Sequence, residues 1–178
     1  GKHVRAVVVD HGLQPGSADI ATRAAEQARR IGVPTEVVRV DVGAASGTGR
    51  AVGLEATART ARYEALFAAA GAEADVWVAH TADDQAETLL LGALRGNPAG
   101  MAFRSGRLVR PFLLLRRAET VGACQEIGLD TWDDPMNHDP VYRRVAIRQQ
   151  IIPALTDLLG GDAVAPLAAT ANRIAEDR

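Results

Sequence analysis

Between residues 4 and 10 the chain reads Val-Arg-Ala-Val-Val-Val-Asp, a near-continuous β-branched run of the kind that forms a parallel strand covered on both faces. The stretch Asp10-His11-Gly12-Leu13-Gln14-Pro15-Gly16-Ser17 follows, predicting a loop off the strand's carboxyl end with Ser17 or Asp19 capping the next helix. That helix runs for about 14 residues to Arg30 or Ile31, where Gly32 and Pro34 stop it. Residues 35–42 read as a second strand, and residues 43–53 as a Gly, Ser and Ala loop with little to set its shape. Residues 54–70 predict an amphipathic helix with Leu54, Ala58, Ala61 and Leu66 on its apolar face and Glu55, Arg59 and Arg62 on another. Gly71 ends it, and residues 76–79 predict a short buried strand that delivers His80 at its carboxyl end.

A further helix opens at Thr81, with Asp84 three residues on and Leu89, Leu90, Leu91 and Leu94 as its apolar face. Strands alternating with helices predict right-handed βαβ units, and so an α/β fold with a parallel sheet and helices on both faces. Beyond Leu94 the chain turns basic and loop-like, with Arg95 and Gly96, then Arg104, Arg107 and Arg110 before Pro111. Residues 118–126 predict a helix that stops at Gly128, and residues 133–140 a turn-rich acidic loop. A helix carrying Arg143, Arg144 and Arg148 runs from Tyr142 to Pro153, and the tail from Ala154 is helical. Residues 1–153 are expected to form one catalytic-type domain and 154–178 a helical segment leading onward.

Composition narrows the class. A chain of 178 residues suits one domain. No apolar run approaches the roughly 20 residues of a membrane span, and no charged-then-apolar leader is present, so a cytosolic location is expected. Cys124 is the single cysteine, which excludes a disulfide or a thiolate metal cage within the chain. Apart from Lys2, every residue counted as lysine or arginine is arginine; codon bias accounts for most of that, and only the clustering of the arginines is informative.

The densest chemistry lies between residues 80 and 87. His80, Asp83, Asp84 and Glu87 put an imidazole and three carboxylates at a strand-to-helix junction, where ligands bind in open α/β sheets. Acids in a first helical turn serve the helix dipole in any protein, but capping needs only one or two. Asp84 and Glu87 are spaced i, i+3, share one face and suit a single cation.

Four stretches together resemble a known family. They are Val9-Asp10-His11-Gly12-Leu13-Gln14 with Ser17; Leu54-Glu55-Ala56-Thr57-Ala58-Arg59-Thr60-Ala61-Arg62-Tyr63; Ala79-His80-Thr81-Ala82-Asp83-Asp84-Gln85-Ala86-Glu87-Thr88 with Arg95-Gly96; and Asp134-Pro135-Met136-Asn137 with Asp139, Arg144, Arg148 and Pro153. In this order they resemble the tRNA(Ile)-lysidine synthetases of the PP-loop ATP pyrophosphatase superfamily, which implies a Rossmann-like fold of the adenine nucleotide α-hydrolase type. The resemblance implies a ligase that adenylates the wobble cytidine of an isoleucine tRNA with ATP and lets a lysine amine displace AMP.

Under that resemblance Asp84 and Glu87 hold the lysine ammonium, and one of them, or His80, removes its proton. Arg59 or Arg62 opposes negative charge. Asp10, His11, Ala79 and His80 are expected to border the adenosine. The sets Arg104, Arg107, Arg110 and Arg143, Arg144, Arg148 are expected to meet tRNA phosphates. The residue pattern offers no metal cage, so Mg2+ is expected to come with ATP, held by phosphates. An exposed sheet edge suits pairing with a second copy, hence an expected homodimer. The family's Ser-Gly-Gly-x-Asp-Ser phosphate loop is not in this sequence. A strand, that loop and a helix are therefore expected upstream, and this segment alone is expected to be inactive. Rival readings are another superfamily member, such as a tRNA thiolase or an amidotransferase-type synthetase, and a non-catalytic nucleotide- or RNA-binding module. A thiolase of that kind calls for cysteines beyond Cys124.

Overall fold

A computed structural model describes residues 3–12, 14–40 and 51–177, with side chains described from residue 57 in the second helix. Leu13, residues 43–50 of the loop expected at 43–53, and the faces assigned to Leu54 and Glu55 lie outside the described residues, while residues 51–53 of that loop are helical. The chain divides into two compact units, residues 1–74 and 75–178.

In the first unit β1 (Ala6–Asp10), α1 (Ser17–Arg30) and β2 (Thr35–Arg39) form one βαβ unit, the strands parallel in a register that sets Ala6 opposite Thr35 and Asp10 opposite Arg39. β1 is half-buried along Ala6 to Val9 and buries only Asp10 at its end. α1 does not use the expected caps: Gly16 occupies the N-cap with φ +81°, a left-handed turn that glycine adopts without strain. Ser17 is the first helical residue, and its hydroxyl goes to Asp10 instead. α2 (Ala51–Ala70) starts before the helix read at 54–70 and stops where expected, with Gly71 at φ +72°.

The second unit begins with β3 (Val76–Trp77), which pairs in parallel with β5 (Leu108–Val109). β4 (Arg104–Ser105) lies antiparallel on the other side of β5. Val76 is buried, but Trp77 is 66% exposed, so the strand read as buried is covered at one of its two residues. Strands this short carry no period in the sequence, and the stretch around Arg104 and Arg107 read as loop for that reason. α3 (Ala82–Ala93) opens as its capping pattern predicts, because Asp84 Oδ2 accepts the Thr81 amide at 2.7 Å and the Thr81 hydroxyl at 2.8 Å. Leu89 is buried, whereas Leu94 sits past the helix end and is 77% exposed.

α4 (Arg117–Glu126) begins one residue before the expected start. The helix expected to end at Pro153 continues as α5 (Arg143–Ala146), a π-helical turn at Ile147–Ile151, and α6 (Ile152–Leu159). Proline has no amide to donate and crowds the preceding turn; near the start of α6, after a widened π turn, it meets neither problem.

Ala86, Ile147, Ile152 and Val164 form the buried core of this unit, with Leu90, Leu91 and Leu167 against them. α7 (Val164–Glu176) is an integral part of it and packs along α3. Gln85, fully buried, locks that packing. Its carbonyl accepts the Met101 amide at 2.8 Å, and its amide donates to the Met101 carbonyl at 2.8 Å and to Asn172 Oδ1 at 2.5 Å. Backbone approach at the same place leaves no room for a side chain, since a Cβ on Gly100 would lie 1.8 Å from the Ala171 carbonyl oxygen. Gly100→Ala should therefore push α7 away from α3 and cost about 2 to 3 kcal/mol, read as a lower urea midpoint at unchanged slope.

Candidate active site

The acidic turn of α3 is built into a charged network that the linear order hides. Asp83 Oδ2 accepts the Arg117 amide at 2.7 Å and faces the Arg116 guanidinium at 3.3 Å. Arg116 also reaches Asp162 at 2.7 Å. Arg117 Nη2 donates to Asp84 Oδ1 at 3.0 Å and to Glu87 Oε1 at 3.3 Å. Arg148 Nε donates to Glu87 Oε1 at 2.8 Å, and Arg144 Nη1 lies 3.5 Å from Oε2 while its Nη2 donates to the Thr88 hydroxyl. Glu87 is thus a carboxylate with 1% of its side chain exposed, met by three guanidiniums.

Three elements converge to produce this. The α3 amide ends and the i, i+3 spacing place Asp84 and Glu87 together. The N-terminus of α4 is docked onto Asp83 and brings in Arg116 and Arg117. Arg144 on α5 and Arg148 on the π turn are one helical turn apart, and both reach Glu87. Burial pushes the Asp84 carboxyl upward, but the Thr81 amide, the Arg117 charge and the Thr81 hydroxyl outweigh it and hold the group below its ordinary 3.8. Asp83 behaves alike: burial opposes its charge, and the Arg117 amide with the Arg116 guanidinium overrides it. Both acids are ionised and weakly basic. His80, beside Asp84, is half-buried at the end of β3, and its charge adds to the field on Asp84. Ala79 is exposed.

Arg116 and Arg117 were not among the residues singled out from sequence. The only linear signal is a basic pair at a helix start, where the dipole disfavours cations, and a partner 33 or 34 residues upstream explains it. Conversely, the arginines expected to meet phosphate divide by burial. Arg104 is exposed and forms a bidentate pair with Asp75, Arg107 is partly exposed and Arg143 is exposed. Arg110 is instead buried at 8% exposure with its Nη1 on the Ala102 carbonyl, and Arg144 and Arg148 turn inward to Glu87.

The first unit holds its own polar cluster at the end of β1. Asp10 is buried and accepts the Gly12 amide at 2.9 Å. That bond, with the Ser17 hydroxyl, holds its carboxyl below 3.8 despite burial. Burial pushes the His11 imidazole below its ordinary 6.5, and the nearby Arg62 charge adds to the effect. His11 is therefore neutral near pH 7, with its Nδ1 buried and unpaired among the described residues. Arg59 and Arg62 both lie over the Tyr63 ring, at 5.1 and 5.7 Å from its centre. A neutral imidazole, two arginines and a short glycine turn suit a polar, anionic ligand. Among the described residues no group of three or more His, Cys, Asp or Glu is placed to hold a metal ion. No single described helix is long and apolar enough to cross a membrane.

Parallel strand pairs, crossover helices and a charged strand-to-helix junction define an α/β chain. The chain belongs to the PP-loop domain family, which matches residues 1–155. It is similar to the tRNA(Ile)-lysidine synthase of Corynebacterium glutamicum, 49% identical over an alignment of 178 residues that covers 98% of this chain and 54% of the relative. The enzyme of the same name from Leifsonia xyli subsp. xyli is 50% identical over 179 residues, covering 97% and 52%, and that of Salinispora tropica 46% over 188 residues, covering 99% and 55%. The chain spans about half the length of these curated relatives. Among solved structures it is similar to the U34-tRNA thiolase NcsA from Methanococcus maripaludis with its [4Fe-4S] cluster, at TM-score 0.71 and 15% identity, covering 96% of this chain and 61% of that one. At that identity the likeness speaks to the fold alone.

Replacing Glu87 leaves three guanidiniums facing a neutral group. Glu87→Gln should destabilise the protein by about 3 kcal/mol in denaturant titration, because it removes the shared partner of an ion-pair network. A loss near zero would mean that the arginines escape to solvent.

Proposed function

We propose that this chain is the nucleotide- and amine-handling part of a tRNA(Ile)-lysidine synthase. The observation that carries the reading is identity near one half, over almost the whole chain, to curated enzymes of that name. The geometry supports it with an i, i+3 pair of acids where a strand opens into a helix, the arrangement a primary ammonium needs.

In the proposed reaction the carbonyl oxygen of the wobble cytidine attacks the α-phosphorus of ATP and expels pyrophosphate. A lysine amine then attacks the activated ring carbon, which expels AMP, and the amine gives up a proton. Mg2+ would accompany the triphosphate and screen its charge. Asp84 and Glu87 orient the amine. Asp84 is held below its ordinary range by its cap bonds and Arg117, so its affinity for a proton is low. Glu87 is met by three guanidiniums. His80, at the end of β3 beside Asp84, is the proposed proton acceptor. In the first unit Asp10 and His11 would border the nucleoside, with Arg59 and Arg62 opposing anionic charge.

The thiolase reading draws only on a shared fold, and Cys124 is the one cysteine the chain supplies. A [4Fe-4S] cluster takes a set of cysteine thiolates.

The full-length protein should release AMP from ATP only when tRNA(Ile) and lysine are both present, with lysine joined to the tRNA in equal amount. AMP release that ignores lysine would overturn the reading. For tRNA contact the arginines that do not turn inward to Glu87 are the better choice: Arg107→Gln with Arg143→Gln should lower the slope of log affinity against log salt by about 1 to 2. An unchanged slope in a gel-shift series would remove both from the interface.

A further inference from the structure

We infer that Arg117 decides which amines the site accepts, by occupying the amine's seat until a substrate carboxylate draws its guanidinium away. The inference rests on the lysine reading above. A single nitrogen, Nη2, lies 3.0 Å from Asp84 Oδ1 and 3.3 Å from Glu87 Oε1. An ammonium gripped by this i, i+3 pair needs the same two oxygens. Two cations do not share that position, so Arg117 competes with any incoming amine.

Exchange strands no acid. With Arg117 gone, Asp84 Oδ2 keeps the Thr81 amide and hydroxyl, and Glu87 keeps Arg148 at 2.8 Å and Arg144 at 3.5 Å. Nor must the helix move. The Arg117 amide is tied to Asp83 at 2.7 Å, while its side chain is 33% exposed and turns on its own bonds.

What the displaced guanidinium lacks is an anion. A free amino acid with an amino side chain brings both charges: its ammonium takes the seat, and its carboxylate receives the planar fork of Arg117, a geometry that guanidinium matches bidentately. A plain diamine brings only the cation, takes two partners from Arg117 and returns none. Arg117 therefore discriminates lysine from its decarboxylated counterpart, a contest that works by penalising the wrong ligand as much as by attracting the right one.

The test is equilibrium titration of the full-length protein with lysine and with cadaverine, which is lysine without its carboxylate. Arg117→Gln should narrow the preference for lysine by about tenfold or more, because cadaverine gains an uncontested seat and lysine loses its carboxylate partner. Arg117→Lys retains a cation for folding. It should keep cadaverine weak and lose lysine affinity by about threefold to tenfold, since an ammonium is a point charge and not a fork. Unchanged preference in the Gln variant, or wild-type lysine affinity in the Lys variant, overturns the inference and leaves the lysine reading standing. Failure of the unaltered protein to bind lysine overturns both.

Discussion

The second unit depends on one buried charge. Glu87 has lost its water, and a carboxylate in that position is tolerable only if cations replace the hydration it gave up. Arg117, Arg144 and Arg148 do so from α4, α5 and the π turn, so the need of one side chain fixes where three helical segments lie against α3. The neighbouring core of Ala86, Ile147, Ile152 and Val164 is small in side-chain volume. Apolar packing alone would leave the rotation of these helices loosely specified, and a charge-assisted network demands particular atoms at particular places.

The acids that organise the fold are the ones the proposed function assigns to the amine. Asp84 caps α3 with one oxygen and faces Arg117 with the other, and Asp83 docks α4 through a main-chain bond. Asp83, Asp84, Glu87 and Asp162 meet Arg116, Arg117, Arg144 and Arg148, so the network is balanced in charge. A balanced network admits a new cation by exchange and not by simple addition, which links stability, affinity and selectivity at one position. The cluster at the end of β1 follows a different rule: His11 is held neutral by burial and by Arg62, and Asp10 is held ionised by amide and hydroxyl donors.

Behind the acidic turn, Gln85 and Gly100 hold α3 in place from its opposite side. A fully buried amide that spends its oxygen and its nitrogen on Met101 and Asn172 is satisfied only in one register. The contact of Gly100 with Ala171 permits no side chain between the two backbones. α3 is therefore clamped on one side by polar matching and close backbone approach, and on the other by the arginines, which leaves Asp84 and Glu87 little freedom to turn.

Local order along the chain was enough to find α1, α3 and the βαβ rhythm, because hydrophobic period, turn residues and the Thr81 to Asp84 cap all act within a few positions. It was also enough to bring out His80, Asp84 and Glu87 as a group, since helical spacing alone puts two of them on one face. It did not contain the two-residue strands β4 and β5, the π turn that carries Pro153, or the burial of Arg110. Above all it could not tell that Arg144 and Arg148 look inward, or that Arg117 lies between the two acids. An arginine's sequence neighbourhood is the same whether it faces water or a carboxylate 30, 57 or 61 residues away. Only the folded chain decides, because the energy of a charge is set by what replaces its water, and that is a property of position in space.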